Sequence, residues 1–116
     1  MTLFDIENVY FSGSVGSTNN TTPVVMVPDP GTGTPAIVID TGCLGVLNRD
    51  TTDKIIIIKI TGASIIIEQF TLTTGYSWAN PSKIPIQPGQ TLTIELSDTV
   101  TTNQPTWHII TVQRVA

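Results

Sequence analysis

Two side chains in this sequence, Cys43 and His108, are of the types that act as nucleophile and general base, and each is the only residue of its kind. A nucleophilic triad brings a serine or cysteine, a base and a carboxylate together in space. No spacing along the chain indicates such an arrangement. Free cysteine usually behaves as a small buried hydrophobe, and a single histidine within a strand is more often a surface or interface residue. We therefore expect neither side chain to be catalytic.

Residues 36–42, AIVIDTG, form an apolar strand that ends in Asp40-Thr41-Gly42. This stretch resembles the active-site signature of the retroviral-type aspartic proteases, in which each subunit of a dimer contributes one aspartate to a shared-proton dyad. The resemblance implies Asp40 as the catalytic carboxylate, with Thr41 bracing it. It covers seven residues, and the later apolar pair followed by glycine is missing from the sequence. Asp-Thr-Gly is also an ordinary strand-to-turn sequence, so the protease is the minor alternative.

Three aspartates lie in turn-rich segments where a calcium ion is conceivable. Asp29 lies in a glycine- and proline-rich loop, and Asp50 and Asp53 flank a pair of threonines. Calcium needs six to eight oxygen ligands in a defined cage, and no EF-hand spacing is present. We expect solvated turn aspartates, with no metal and no cofactor.

Three aromatic residues are candidates for contact with a ligand or a partner. Tyr76 and Trp78 lie in a long connection, and Trp107 begins the last predicted strand. Aromatic side chains stack on sugar rings or anchor protein interfaces, because they bring a large contact area at low entropic cost. We expect at least one tryptophan in the core. The others indicate a recognition surface for a glycan or a protein.

Composition predicts the fold class. Threonine, isoleucine and valine dominate, charged residues make up 12%, and eight prolines and nine glycines recur along the 116 residues. No stretch has the period of an amphipathic helix. The sequence predicts one all-β domain, a single antiparallel β-sandwich of immunoglobulin-like or jelly-roll type with roughly seven to eight strands. Residues 1–23 are predicted to form an extended N-terminal arm or edge segment with a loop, and residues 24–116 the sandwich.

Charge and hydropathy exclude two classes of partner. The net charge is −4, and the five basic residues form no cluster that would neutralise a phosphate backbone, which argues against nucleic acid. No apolar run approaches the roughly 20 residues that span a membrane. The start of the chain lacks a basic segment followed by an apolar one. We expect a protein that is made in a cytoplasm and stays there until it joins an assembly.

A hairpin is predicted for residues 54–72, KIIIIKITGASIIIEQFTL, with Gly62 supplying the positive φ of the reversal. Successive side chains of a strand point to opposite faces, so the first strand is apolar on both sides. One row is expected to face the other sheet of the sandwich. That row consists of Ile56, Ile58 and Ile60.

The second row, Ile55 and Ile57, then needs cover from the N-terminal arm, a long loop or another subunit. Full burial of an isoleucine is worth roughly 1.5–3 kcal/mol, so a bare row is costly. We therefore predict an interface that involves Ile55 and Ile57 together with an apolar stretch of the arm. That stretch consists of Val9, Tyr10 and Phe11. Lys54 and Lys59 are interpreted as gatekeepers against aggregation.

A threonine-rich all-β chain of this size with an N-terminal arm resembles the small virion proteins of tailed bacteriophages, with the capsid decoration (cement) proteins as the closest type. Residues 46–96 also resemble immunoglobulin-like accessory domains, with Asn48 near a turn before the hairpin and the strand 86–94 after it. The resemblance implies a non-enzymatic virion protein, with a homotrimer favoured, that bridges subunits of the major capsid protein and stabilises the head. The alternative is a glycan- or receptor-binding module that uses Tyr76, Trp78 or Trp107.

Overall fold

The structure is a computed structural model that describes residues 4–7, 10–62, 65–110 and 112–115. Within these residues there are twelve strands and no helix, so no helix of the described chain is long and apolar enough to cross a membrane. The strands are β1 Phe4–Glu7, β2 Phe11–Ser14, β3 Val24–Val27, β4 Ala36–Ile39, β5 Leu44–Leu47, β6 Lys54–Thr61, β7 Ile65–Leu72, β8 Ser77–Ala79, β9 Ile84–Ile86, β10 Thr91–Leu96, β11 Thr106–Ile109 and β12 Val112–Val115. The predicted all-β antiparallel sandwich class is confirmed.

The strands form three four-stranded antiparallel sheets. The first has the order β1-β12-β4-β9, the second β2-β11-β5-β8 and the third β3-β10-β6-β7. We call the third the hairpin sheet, because its β6 and β7 are the arms of the predicted hairpin. Gly62 at the reversal has φ +104°, as expected for this turn.

The first and second sheets are two halves of one layer. Each strand of the first sheet is followed or preceded in the chain by a strand of the second, and the neighbours keep the same order. Backbone hydrogen bonds continue the pairing across the interruptions. Gly42 donates to the Asn80 carbonyl at 2.9 Å, and Ile110 donates to the Cys43 carbonyl at 3.0 Å. The layer therefore contains four long strands, each broken once, and the molecule measures 50 × 23 × 19 Å.

Counted in this way, the described residues form eight strands: four broken ones, and β3, β6, β7 and β10 of the hairpin sheet. Strand 1 then pairs with 8, 2 with 7, 3 with 6 and 4 with 5, as in one long hairpin wound into two layers. This is the jelly-roll arrangement rather than the immunoglobulin-like one. When each broken strand is counted once, the number of strands agrees with the predicted seven to eight. The breaks divide four of these strands into two shorter elements each.

A buried asparagine joins the two halves of the broken layer. Gly42, with φ +79°, lets the chain turn between β4 and β5. Asn80, buried between β8 and β9, accepts the Leu44 N–H through Oδ1 at 2.9 Å. Its Nδ2 donates to the carbonyls of Asp40 at 3.0 Å and Ser82 at 2.8 Å. One side chain thus satisfies three backbone groups that the breaks remove from the sheet ladder.

The segment predicted as an N-terminal arm or edge segment contains β1 and β2. They are edge strands of the first and second sheets and pair with β12 and β11. Val15, directly after β2, is fully buried.

The inward row of β6 lies in the core as predicted. Ile56, Ile58 and Ile60 are buried, and across the strand pair they lie beside Leu92 and Ile94 of β10. The buried apolar side chains of both layers form a single cluster.

We expect Asn80→Ala to lower the free energy of unfolding by about 2–4 kcal/mol, because three backbone groups at the breaks lose their partner. Urea denaturation measures the change. The matched control is Asn19→Ala at an exposed loop position, where a change within about 0.5 kcal/mol is expected. Equal effects of the two substitutions would show that the junction does not depend on Asn80.

Candidate functional site

The solvent side of the hairpin sheet carries a group of exposed apolar side chains among polar ones. Val25 and Ile66 are each 52% exposed, Ile55 is also exposed, and Ile57 is half-buried. We call this surface, defined by these four residues, the isoleucine face. The predicted second row of the hairpin therefore lies on the outside, and the described chain leaves it open to solvent.

Strand register places these residues side by side. Thr93 of β10 lies opposite both Val25 of β3 and Lys59 of β6, and Lys59 lies opposite Ile66 of β7. One row of side chains thus crosses all four strands of the sheet. In the next row Ile57 lies opposite Glu95 and Gln69. The apolar side chains of the face therefore alternate with threonine, lysine, glutamate and glutamine in these two rows.

An ion pair lies at the centre of the isoleucine face. Lys59 Nζ is 2.6 Å from Glu95 Oε1, and both side chains are partly shielded from solvent. Beside the pair is a shallow depression of about 370 Å³. Its lining consists of Pro23, Lys59, Ile60, Thr61, Ile66, Thr93 and Glu95. Because the two charges neutralise each other, the face offers apolar area and hydroxyl groups, which suits the burial of another protein surface.

Two of the N-terminal residues predicted to take part in the interface, Tyr10 and Phe11, do not cover this face. Tyr10 is 67% exposed, and Phe11 packs against the core from β2, which belongs to the opposite layer. Val9 lies outside the described residues. Ile55 therefore remains exposed in the presence of the described part of the arm.

The three aromatic candidates lie in different environments. Trp107 is buried in the core against Gly13, where an added Cβ would lie 2.9 Å from the indole, so it is not on a recognition surface. Trp78 is half-buried and stacks on Phe70 with ring centroids 4.5 Å apart. Tyr76 is 66% exposed. The structure does not bring the three together as one ligand site.

The enzyme-like residues have structural contacts. Asp40 lies at the break between β4 and β5, 3.8 Å from the ammonium of Lys83. Cys43 is half-buried and packs against the core. His108 is exposed on the second sheet and covers Gly45, where an added Cβ would come 2.5 Å from the imidazole. Asp-Thr-Gly thus serves here as the turn that divides a strand.

A buried polar cluster, formed by Asn48, Asp50 and Lys54, lies at one end of the sandwich and is not predicted from the sequence. Asp50, expected to be a solvated turn residue, is only 3% exposed, and Lys54, expected to be a gatekeeper, is buried beside it. Lys54 Nζ lies 3.4 Å from Asp50 Oδ2 and donates to the Thr99 carbonyl at 2.8 Å. Asn48, fully buried, accepts the Asp50 N–H and donates to the carbonyls of Leu72 and Thr52. The cluster ties three loops to the base of the hairpin.

Backbone donors surround the Asp50 carboxylate. Burial alone would raise the pKa of Asp50, but the N–H groups of Thr101, Thr102, Thr51 and Asn103 outweigh it and hold the pKa well below the usual 3.8. The corresponding hydrogen bonds are 2.8–3.2 Å long. Both carboxylate oxygens are therefore used by the chain itself, and the ammonium of Lys54 supplies the positive charge.

The other two candidate calcium ligands also accept backbone N–H groups. Asp29 Oδ1 accepts from Gly31 and Gly89, each at 2.8 Å, and Asp53 Oδ1 accepts from Thr74 at 3.1 Å. Within the described ranges, no three His, Cys, Asp or Glu side chains are grouped as metal ligands.

No family model and no curated protein matches the chain. Among solved structures, the chain is similar to the crystal structure of the Podospora anserina GH26-CBM35 beta-(1,4)-mannanase, at 9% identity and a TM-score of 0.40. The match covers 94% of this chain and 28% of that one. Such a likeness carries no argument about function.

We expect Asp50→Asn to lower the free energy of unfolding at pH 7 by about 3–5 kcal/mol, because it leaves the ammonium of Lys54 buried without a counter-charge. Since the folded pKa lies below the unfolded value, the carboxylate contributes stability that is fully present above about pH 4 and is lost as pH falls through the folded pKa. The variant should therefore lose less stability than the wild type on acidification.

Denaturation at a series of pH values from about 6 to about 2 measures both effects. Asp98→Asn, at an exposed position, is the matched control and should behave as the wild type. An Asp50→Asn variant with unchanged stability at pH 7 would contradict the structural importance of the buried pair.

Proposed function

We propose that this chain is a non-enzymatic structural subunit of a virion, of the capsid decoration type, that binds neighbouring capsid subunits and stabilises the head. One observation carries the proposal: on the solvent side of the hairpin sheet, Val25, Ile55 and Ile66 are exposed around a paired lysine and glutamate, on the outside of a sandwich whose core is already filled. In this function the chain performs no chemistry. It adds buried area that holds neighbouring subunits together.

The composition of the isoleucine face supports a protein partner. Its centre is one mutually neutralised ion pair, Lys59 with Glu95, with Ile57 and Ile66 beside it, and its margin carries exposed polar side chains such as Gln69 and Thr71. Protein interfaces combine apolar contacts with paired polar groups and a polar rim. With a net charge of −4 on the whole chain, complementary positive groups on the partner would favour association.

Mass spectrometry of gradient-purified particles from the source that encodes the chain tests the proposal. The chain is expected in the particles in many copies, in a fixed ratio to the major capsid protein. Its absence from purified particles, or its presence only in the soluble fraction, would overturn the assignment.

We expect the double variant Val25→Lys/Ile66→Lys to bind more weakly, by roughly tenfold or more, to particles from which the wild-type chain has been removed. The reason is that two charged groups would be buried at the interface. Co-sedimentation measures binding. Both side chains are exposed, so the unfolding midpoint should change little. The matched control is Ile110→Lys, which is 53% exposed directly after β11 in the other layer and should bind as the wild type. Equal loss in both variants would contradict the assigned face.

A second candidate is a glycan- or receptor-binding module, favoured by the position of Tyr76. Its ring is exposed while its backbone is held on both sides. The N–H of Tyr76 donates to the Thr73 carbonyl and its carbonyl accepts from Asn48, both at 3.0 Å. An exposed aromatic ring on a hydrogen-bonded backbone is a suitable platform for a sugar or an apolar side chain.

For this second candidate we expect Tyr76→Ala to abolish binding on a glycan array, because the stacking platform is lost. Tyr10→Ala is the matched control, since its side chain is 67% exposed at a different corner of the molecule. An array without signal for the wild type would exclude a glycan ligand among the sugars tested.

A further inference from the structure

The open edge of β7 differs from the other sheet edges. Among the described residues, β7 pairs only with β6, and its other side carries no strand. It is eight residues long and contains no proline. By contrast, the edge strands β1, β2, β3, β8 and β9 have three or four residues each. β9 also contains Pro85, and β3 lies between Pro23 and Pro28.

Natural sheets protect their edges by shortness, proline and charge, because an open edge pairs with other strands. Five edges of this molecule are shortened or interrupted in that manner, and β7 is not. Its one charged residue is Glu68. An edge of this length is suited to pairing with another chain.

The backbone groups that face the open edge follow from the pairing of β6. The Ile55 carbonyl accepts the Ser97 N–H at 3.2 Å, so the polar groups of Ile55 point toward β10 and away from β7. Thr71 lies opposite Ile55, and in an antiparallel pair opposite residues point either toward each other or away from each other. The N–H and C=O of Thr71 therefore point to the open edge. By alternation, those of Gln69 do the same.

We propose that two copies of this chain pair antiparallel through β7 about a two-fold axis at Phe70. Gln69 of each copy then lies opposite Thr71 of the other, and each such pair exchanges two backbone N–H···O bonds. The two hairpin sheets join into one continuous sheet. A second copy satisfies this geometry because a two-fold axis makes one edge complementary to itself.

Charge disfavours the competing register centred on Glu68. With the axis at Phe70, Glu68 lies opposite Leu72 of the second copy, and the two glutamates are separated by about 13 Å along the strands, at about 3.3 Å per residue. With the axis at Glu68, the two carboxylates would face each other directly, which is destabilising. The axis at Phe70 also pairs every residue from 68 to 72, the part of β7 that lies beyond its irregularity in register.

Aromatic contacts support the same axis. Phe70 stacks on Trp78 and closes the side of the sandwich between β7 and β8. Across the axis, the two Phe70 residues form a pair without backbone hydrogen bonds, the kind in which side chains approach most closely. The two stacked pairs would form one aromatic cluster, a favourable cross-strand contact.

The dimer is the form in which the structural subunit proposed above would bind its partner, and this role of the dimer rests on that proposal. It sets the two isoleucine faces side by side on one sheet, so the surface offered to a larger partner doubles. The symmetry of this pairing is two-fold, whereas the resemblance to small virion proteins implies a trimer.

Two charge designs at exposed positions test the register. In Gln69→Glu/Thr71→Glu, glutamates face each other at both contacts, and the dimer should weaken roughly tenfold or more. In Gln69→Lys/Thr71→Glu, each lysine faces a glutamate of the second copy, and the dimer should form at least as well as in the wild type. With the axis at residue 69 or 71, the second design would place like charges together and would also weaken the dimer.

Sedimentation equilibrium over a range of concentrations measures the dimer, and the unfolding midpoints of both variants check that the fold is retained. A wild-type monomer at about 1 mM would overturn the proposal. A trimer, or equal weakening by the two designs, would also overturn it. Sedimentation uses the isolated chain, so its result is independent of particle binding. The dimer can be absent while the chain binds particles, and the dimer can form while the chain does not bind them.

Discussion

A sandwich of two layers buries only one face of each sheet, and this constraint decides what the hairpin does. The strand β6 is apolar on both sides, so its inward row builds the core and its outward row meets solvent. Ile56 and Ile58 are completely buried, whereas Ile55 is exposed. No rearrangement within two layers buries both rows, because successive side chains of a strand point to opposite faces. The outer row is therefore the surface on which a neighbour gains the most from burial.

The residues that suggest chemistry in the sequence are occupied in holding the fold. Asp40 lies at a strand break with its carbonyl bonded to Asn80, and His108 covers a glycine of the sheet. The Asp50 carboxylate accepts hydrogen bonds from backbone N–H groups in the loop that begins after β10. The side chains of Asn80 and Asp50 bond backbone groups that the broken strands and the loops leave without a partner in a sheet ladder.

Local patterns were sufficient to predict the fold class, the hairpin and the inward row of β6. Period-two alternation assigns each side chain of a strand to a face, and Gly62 marks the reversal, so both features follow from neighbouring residues. The second row was also assigned to the correct side of the sheet. For the breaks in the long strands the sequence predicts only turns, because Gly42 indicates a turn without showing that pairing resumes in register beyond it.

The buried cluster at Asp50 depends on partners that are far apart in the chain. Its carboxylate accepts hydrogen bonds from the N–H groups of Thr101 and Thr102, about fifty residues away in the chain, and no local sequence pattern predicts that contact. For the same reason Lys54 was interpreted as a surface gatekeeper, since its burial depends on the position of Asp50 and Thr99. Trp107 was offered as a ligand contact because its type suggests recognition, whereas its strand parity directs it into the core.

Hydroxyl-radical footprinting of the chain, free and in purified particles, measures whether the isoleucine face is covered by a partner. If it is covered, oxidation of Val25 and Ile66 in the particle falls to the level of the buried Ile58, while Tyr10 in the opposite layer stays reactive. Equal oxidation of Val25 and Ile66 in both states would show that the isoleucine face stays bare in the particle and is not the binding surface.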